Sequence, residues 1–338
     1  MKSIEDVVLI GPVAPPAGGV ASSVAALAAA LERRGAAVTV VDPGRNRARL
    51  VATLLHASAT RAVVHLHLCG HNRSSYYLLA ATRLLAGLSP VIVTLHSGIL
   101  PQYLDGLSST ARRTLRALLL TADKIACVSP ANAEAVVELG LPRSKVLVAS
   151  PFIGEGLAGA EPSSPRPEGD IVVSVMAAPG PIYGLDLVRD AFPEVVAARP
   201  QARLIVFGTG GADRALAEEL SARGLGDRVN ALGELPHASV LEVLRASDVF
   251  LRPTRADGDS MCVREALAVG CRVVASDAAA RPPGTVIFPA GDAALFAASV
   301  DRALAEPRHS ARGDDGLATL VTLYQELGWE PRPMVSTL

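Results

Sequence analysis

Thirty residues, Asp248 to Asp277 (DVFLRPTRADGDSMCVREALAVGCRVVASD), constrain the fold more than any other stretch of the chain. Val249, Phe250 and Leu251 form the short apolar run of a strand buried on both faces. Pro253 to Ser260 is a polar loop. Met261 to Val269 has helical apolar spacing, Gly270 stops it, and Val273 and Val274 open the next strand. A loop in that position joins the carboxyl end of a parallel strand to a helix N-terminus. Open α/β sheets bind ligands there, and the free N–H groups of the helix attract anions. Two acids frame it, Asp257 on the loop and Glu265 on the helix.

The same alternation runs through all 338 residues, a length that suits about two domains. Apolar runs at Val7–Gly11, Val38–Val41, Ala62–Leu68, Val91–Leu95, Lys124–Val128 and Val146–Ala149 predict a first set of strands. Ile171–Val175, Arg203–Phe207, Arg228–Leu232, Val249–Leu251, Arg272–Ala275 and Val286–Phe288 predict a second. The Gly-, Pro-, Ser- and Glu-rich residues 154–169 read as a linker. The expected organisation is therefore α/β: a Rossmann-like first domain over 1–153, a second over 170–312, and a last helix within 313–330 crossing back to the first domain.

No apolar run reaches ~18 residues and MKSIEDVVLIG already starts a strand, so neither a membrane span nor a signal peptide is expected. Cys69, Cys127, Cys262 and Cys271 form no CxxC or metal-like pair and read as buried thiols of a reducing cytosol. Charge is uneven. Residues 1–152 carry +7 and the remainder −8, and no acid occurs between Pro43 and Leu104, an interval with six arginines. Either the first half meets an anionic partner, or the two halves attract each other. No nucleic-acid partner is expected.

Three further features bear on chemistry. Gly18-Gly19 ends a Pro-rich turn before an Ala-rich helix, without a GxGxxG pattern. His65 and His67 alternate on one strand, where core or cleft-edge histidines are expected rather than metal ligands, because no third ligand is near. His96 follows directly on the strand Val91–Leu95, a position that points into a ligand crevice.

Taken with VTLHSG, ADKIACVSPANAE, ARLIVFGTGG and LYQELG, the stretch DGDSMCVREALAVGCRVVASD resembles the retaining glycosyltransferases of the GT-B fold, glycosyltransferase family four. The resemblance spans nearly the whole chain. It implies two Rossmann-like domains facing a cleft and transfer of a sugar from a nucleoside diphosphate sugar with retention. Neither a metal nor a cofactor is implied; the nucleotide sugar is the donor substrate. By position, Glu265 would hold the donor ribose, Asp257 would contact sugar hydroxyls, and His96 would sit near the reacting carbon. Backbone N–H groups of Gly258, Asp259, Ser260, Met261 and Cys262 would receive sugar and phosphate oxygens. Gly18 and Gly19 would close over the diphosphate, and Leu235, beside Glu234, would line the base pocket.

The chain departs from that pattern in two places. Asp257 replaces the usual Glu, and Ala177 and Tyr183 stand where an Arg and a Lys usually grip the diphosphate. Arg252, Arg255 and Arg264 are the nearby candidates to compensate. The expected acceptor is a glycan, a lipid-linked molecule or a small molecule, met in the cytoplasm or peripherally at an anionic inner membrane face through Arg112, Arg113 and Arg116. Two alternatives stay open: a non-catalytic nucleotide-sugar-binding relative or partner subunit, and a nucleotide-sugar epimerase on the same scaffold.

Overall fold

The computed structural model describes residues 6–14, 18–151, 153, 170–308 and 316–330. The expected linker 154–169 lies outside the described residues, as do residues 15–17 of the first turn. The chain divides into two compact units, Met1–Glu155 with Asp314–Leu338, and Gly156–Gly313.

The first unit alternates β1 (Asp6–Ile10), α1 (Gly19–Glu32), β2 (Ala37–Val41), α2 (Arg47–Thr60), β3 (Val63–Leu68), α3 (Arg73–Leu85) and β4 (Val91–Leu95). It continues with α4 (Leu100–Asp105), α5 (Ser109–Leu120), β5 (Lys124–Cys127), α6 (Pro130–Glu138) and β6 (Val146–Val148). All strands are parallel, in the order β2-β1-β3-β4-β5-β6. Residues alternate across each strand, so Val8 and Ile10 face one hydrophobic core while Val7 and Leu9 face another. Helices α2, α3 and α5 cover the first face and α1 the second. Helix α2 has no counterpart among the elements expected from sequence. Asn46 caps it by accepting from the Arg49 N–H, and Leu50, Leu54 and Ala57 bury its inner face.

The second unit comprises β7 (Ile171–Ala177), α7 (Leu185–Ala198), β8 (Ala202–Gly208), α8 (Ala212–Ser221), β9 (Val229–Ala231) and α9 (His237–Ala246). Then come β10 (Val249–Arg252), α10 (Met261–Ala268), β11 (Arg272–Ser276), β12 (Thr285–Phe288) and α11 (Ala293–Ala305). Its parallel sheet has the order β12-β11-β10-β7-β8-β9. Val249 and Leu251 enter the core under α7, α8 and α11, while Phe250 enters the core under α9 and α10.

The last helix, α12 (Leu317–Glu326), belongs to the first unit. Leu317, Leu320, Leu323, Tyr324 and the following Trp329 are buried in the core that α1 covers. Each is worth roughly 1.5–3 kcal/mol of apolar burial. Tyr324 adds a polar tie, its hydroxyl lying 2.6 Å from Nδ1 of His65.

Candidate functional site

Strand order reverses between β7 and β10 in the second unit and between β1 and β3 in the first. Such reversals splay the loops at the carboxyl ends of the two strands and leave a crevice there. In the second unit, the loop after β7 (178–184) and the loop after β10 (253–260) bound this point. They are knitted together: the Arg255 N–H donates to the Ile182 carbonyl at 2.7 Å, and its guanidinium grips the Asp186 carboxylate at 2.6 and 2.8 Å. Gly184 has φ +67, and any side chain there would collide with the Pro253 carbonyl, so only glycine lets the loops close on each other. Beside them, at the ends of β7 and β8, a cavity of about 580 Å3 is lined by Ala178, Gly180, Pro181, Asp186, Gly210 and Arg255.

Asp257 lies at the centre of a buried ion cluster. Arg252, the last residue of β10, donates to it at 3.0 and 3.2 Å, and Arg281, just beyond β11, donates at 2.8 Å. Thr254 donates a weaker 3.3 Å bond. Burial alone would push the Asp257 carboxyl up, but the two guanidiniums overcome it and hold the group well below the usual carboxylate range. Asp257 Oδ1 also accepts the Gly258 N–H at 3.1 Å, so this one of the five expected backbone donors is engaged within the loop. Asp259 is paired as well, in a buried bidentate bridge with Arg264 at 2.6 and 2.7 Å. Ser260 caps α10 by accepting from Val263. Met261 and Cys262 occupy the first two helical positions, whose N–H groups have no intrahelical acceptor.

Glu265 is buried one turn further along α10, and its Oε1 lies 2.7 Å from Nε2 of His237 at the start of α9. That bond holds the His237 pKa above 6.5, against the opposing effect of partial burial. Burial raises the Cys262 thiol, with the Glu265 carboxylate adding to it, so this cysteine stays protonated. Leu235 packs partly buried against the core under α9 and α10. Neither His237 nor Arg281 stands out in the sequence. Arg281 has a usable signal: it follows a strand adjacent to β10 in a parallel sheet, where crevice residues collect.

In the first unit, His96 follows β4, and its Nε2 lies 3.1 Å from Nδ1 of His67 on β3. The His67 ring lies tilted with its centroid 4.3 Å from that of His65, whose Nε2 meets Thr94 Oγ1 at 2.7 Å. Burial drives all three imidazoles to their neutral forms, lowering His96 to about 4 and His65 to about 3, with His67 also well below 6.5. Nε2 of His67 is buried without a partner among the described residues. An orphan acceptor costs less than an orphan N–H, which assigns the His67 proton to Nδ1, makes His96 Nε2 the acceptor, and leaves the His96 proton on Nδ1. Gly18 caps α1 with φ −177, an extended backbone open to any residue, and a side chain there would meet nothing within 4 Å. The fold itself therefore does not require glycine at 18. Among the described residues no group of three or more His, Cys, Asp or Glu side chains is arranged to hold a metal ion.

Residues 170–306 match the model of the glycosyl transferases group 1, and residues 62–154 match that of glycosyltransferase family 4. The chain belongs to the family 4 glycosyltransferases. It is 30% identical over 189 residues, 55% of its length, to a phosphatidylinositol N-acetylglucosaminyltransferase subunit of Arabidopsis thaliana. It is also 30% identical over 129 residues, 36% of its length, to the GDP-mannose-dependent monoacylated alpha-(1-6)-phosphatidylinositol monomannoside mannosyltransferase of Corynebacterium glutamicum. These matches span 41% and 33% of the two relatives. Anabaena HepE, solved with UDP and glucose, shares the fold at TM-score 0.69 and 18% identity, over 96% of this chain and 98% of that one.

For a family 4 glycosyltransferase, the two replaced positions have a structural consequence. Ala177 is buried at the end of β7 against Gly208 and Thr209, its carbonyl accepting the Thr209 N–H at 3.0 Å. The Tyr183 ring lies 5.9 Å from the Arg252 guanidinium, within cation–π range. Of the three candidate replacement cations, Arg255 and Arg264 are consumed by Asp186 and Asp259. Arg252 is tied to Asp257 but keeps Nη1 buried and without a hydrogen-bond partner among the described residues.

Proposed function

We propose that this family 4 glycosyltransferase moves a sugar from a nucleoside diphosphate sugar to a glycan or lipid-linked acceptor, with retention of configuration. The observation that carries the reading is the position of Glu265. It is a buried carboxylate on the helix that follows β10, one turn from the Met261 and Cys262 N–H groups, which have no intrahelical acceptor, at the strand-order reversal of the second unit. A carboxylate there accepts from ribose hydroxyls, and the helix N-terminus meets the diphosphate. In the reaction the bond between the sugar's anomeric carbon and the phosphate oxygen breaks, and a bond from the acceptor oxygen forms on the same face. The departing diphosphate takes the acceptor's proton. Its growing negative charge is stabilised by N–H dipoles already in place, which need no reorganisation. A neutral His96, with its proton on Nδ1, serves as a hydrogen-bond donor to sugar oxygens. A lipid-linked acceptor is supported by the relatives named above, both of which carry phosphatidylinositol in their names.

One observation favours a second reading, a non-catalytic relative that binds nucleotide sugar. Cations are absent at 177 and 183, and Arg252 is already engaged by Asp257. Thermal shift against nucleoside diphosphates and their sugars, followed by donor hydrolysis and transfer assays, separates the two. A ligand at a hundredfold excess over Kd adds ~2.7 kcal/mol of stability. Turnover with binding supports the transferase, binding without turnover supports the second reading, and no shift with any compound overturns both. Glu265→Gln should weaken nucleotide binding by about 1.5–3 kcal/mol in calorimetry; unchanged affinity removes Glu265 from the donor site.

A further inference from the structure

Helices α2 and α3 carry apolar side chains on the wrong face. Their inner residues, Leu50, Leu54 and Ala57 on α2 and Tyr76 and Leu79 on α3, fill the core. Their outer residues are apolar too. Tyr77, Ala81, Leu84 and Leu88 follow at spacings of four, three and four, one stripe along α3 and its following turn. Tyr77 is 69%, Leu84 82% and Leu88 73% exposed. On the neighbouring α2, Val51 and Leu55 repeat the pattern, with Leu55 54% exposed. Among the described residues, most of the large exposed hydrophobics of the first unit therefore sit on two adjacent helices and the turn after α3. A surface helix normally turns polar residues outward, and a clustered exposed apolar surface marks an interaction site.

Charge identifies the partner. Neither helix contains an acid, and none occurs in the sequence between Pro43 and Leu104. Arg47 and Arg49 at the start of α2, Arg73 at the start of α3, and Arg113 on adjacent α5 are exposed and form no ion pair among the described residues. Between α3 and α5 an apolar groove of about 320 Å3, lined by Tyr76, Tyr77, Tyr103, Leu107 and Leu115, opens beside Arg73. The α5 arginines expected to dominate do not all contribute. Arg112 turns onto the Leu104 carbonyl and Asp105, and Arg116 onto the Gly140 carbonyl.

We propose that the α2–α3 face is a docking surface for an anionic phospholipid bilayer: Tyr77, Leu84 and Leu88 enter the headgroup–acyl boundary while Arg47, Arg49, Arg73 and Arg113 meet lipid phosphates. Apolar insertion beside cations of a single sign is the chemistry of an interfacial helix pair. No helix among the described residues is long and apolar enough to cross a membrane, so the contact is peripheral.

The inference deepens the lipid-linked-acceptor reading, but vesicle binding requires neither donor nor acceptor, so the two fail separately. The full chain is floated with vesicles of phosphatidylcholine alone and with 30% phosphatidylglycerol, at low and at physiological salt. Binding should require the anionic lipid and fall at least tenfold between the two salts as the Debye length shortens. Arg47→Glu with Arg49→Glu and Arg73→Glu should abolish the anionic preference. Leu84→Ser with Leu88→Ser should weaken binding at least tenfold while leaving the melting temperature within a degree or two. Equal binding to both vesicles, or to neither, overturns the proposal. So does a solution dimer that Leu84→Ser with Leu88→Ser dissociates, since the face would then be occupied by a second copy.

Discussion

The two units place opposite electrostatics on nearly the same scaffold. Each ends a six-stranded parallel sheet in a crevice at its strand-order reversal. In the second unit that end is ionic: Arg252, Asp257, Arg281, Asp259 and Arg264 are buried and paired. In the first unit it is neutral, with the His65, His67 and His96 rings packed in a row and stripped of charge by burial. A parallel sheet supplies the location and leaves the chemistry open. The ionic end is preorganised around fixed charge. The neutral end is held by hydrogen bonds between uncharged groups, His65 to Tyr324 and Thr94 and His67 to His96.

The largest test of this contrast is Asp257→Ala. Removing the carboxylate leaves Arg252 and Arg281 buried side by side, which should cost about 3–5 kcal/mol of stability by urea unfolding. A loss under about 1 kcal/mol would mean that the second unit is not cross-linked by charge. Next in size is His96→Ala, which should lower turnover about a hundredfold while leaving folding and the affinity for bare nucleoside diphosphate unchanged. Turnover within a factor of two would reduce His96 to a packing group and remove the chemical meaning of the neutral end.

The smallest effect is in pH dependence, where the two ends differ in sign. The histidines of the first unit have depressed pKa values, so below about pH 6.5 the unfolded chain binds protons that the folded chain refuses. Each contributes a loss of up to ~1.4 kcal/mol per pH unit on acidification. His237 has a raised pKa, so its pairing with Glu265 is fully present below 6.5 and fades as pH rises through the elevated value. Its imidazole is 40% exposed, which limits the term to under ~1 kcal/mol. Calorimetric melting between pH 7 and 5 should therefore show His67→Gln losing stability less steeply than the parent, and His237→Gln slightly more steeply. Parallel slopes for both variants would erase the distinction.

The sequence by itself determined the alternation of strands and helices, because strands buried on both faces must be continuous apolar runs and their connecting helices must carry a 3.6-residue stripe. It placed β4 to the residue, and it put Asp257, Ser260 and Glu265 on the loop and helix where they are found. It passed over α2, whose apolar residues lie on both its inner and outer faces and so blur the stripe that marks a helix. That blurred stripe is the surface inferred above to meet a bilayer. The partners of the acids were decided only by tertiary structure. Arg281 is 24 residues from Asp257 and His237 is 28 from Glu265, and sequence spacing gives no sign of either pairing. The reason is topological: strand order brings β10 between β7 and β11, so the loops that supply Tyr183, Asp257 and Arg281 converge only once the sheet has formed. Which of several arginines neutralises a buried carboxylate is settled by that convergence, since a charge in the interior requires whichever partner the packing delivers within hydrogen-bond reach.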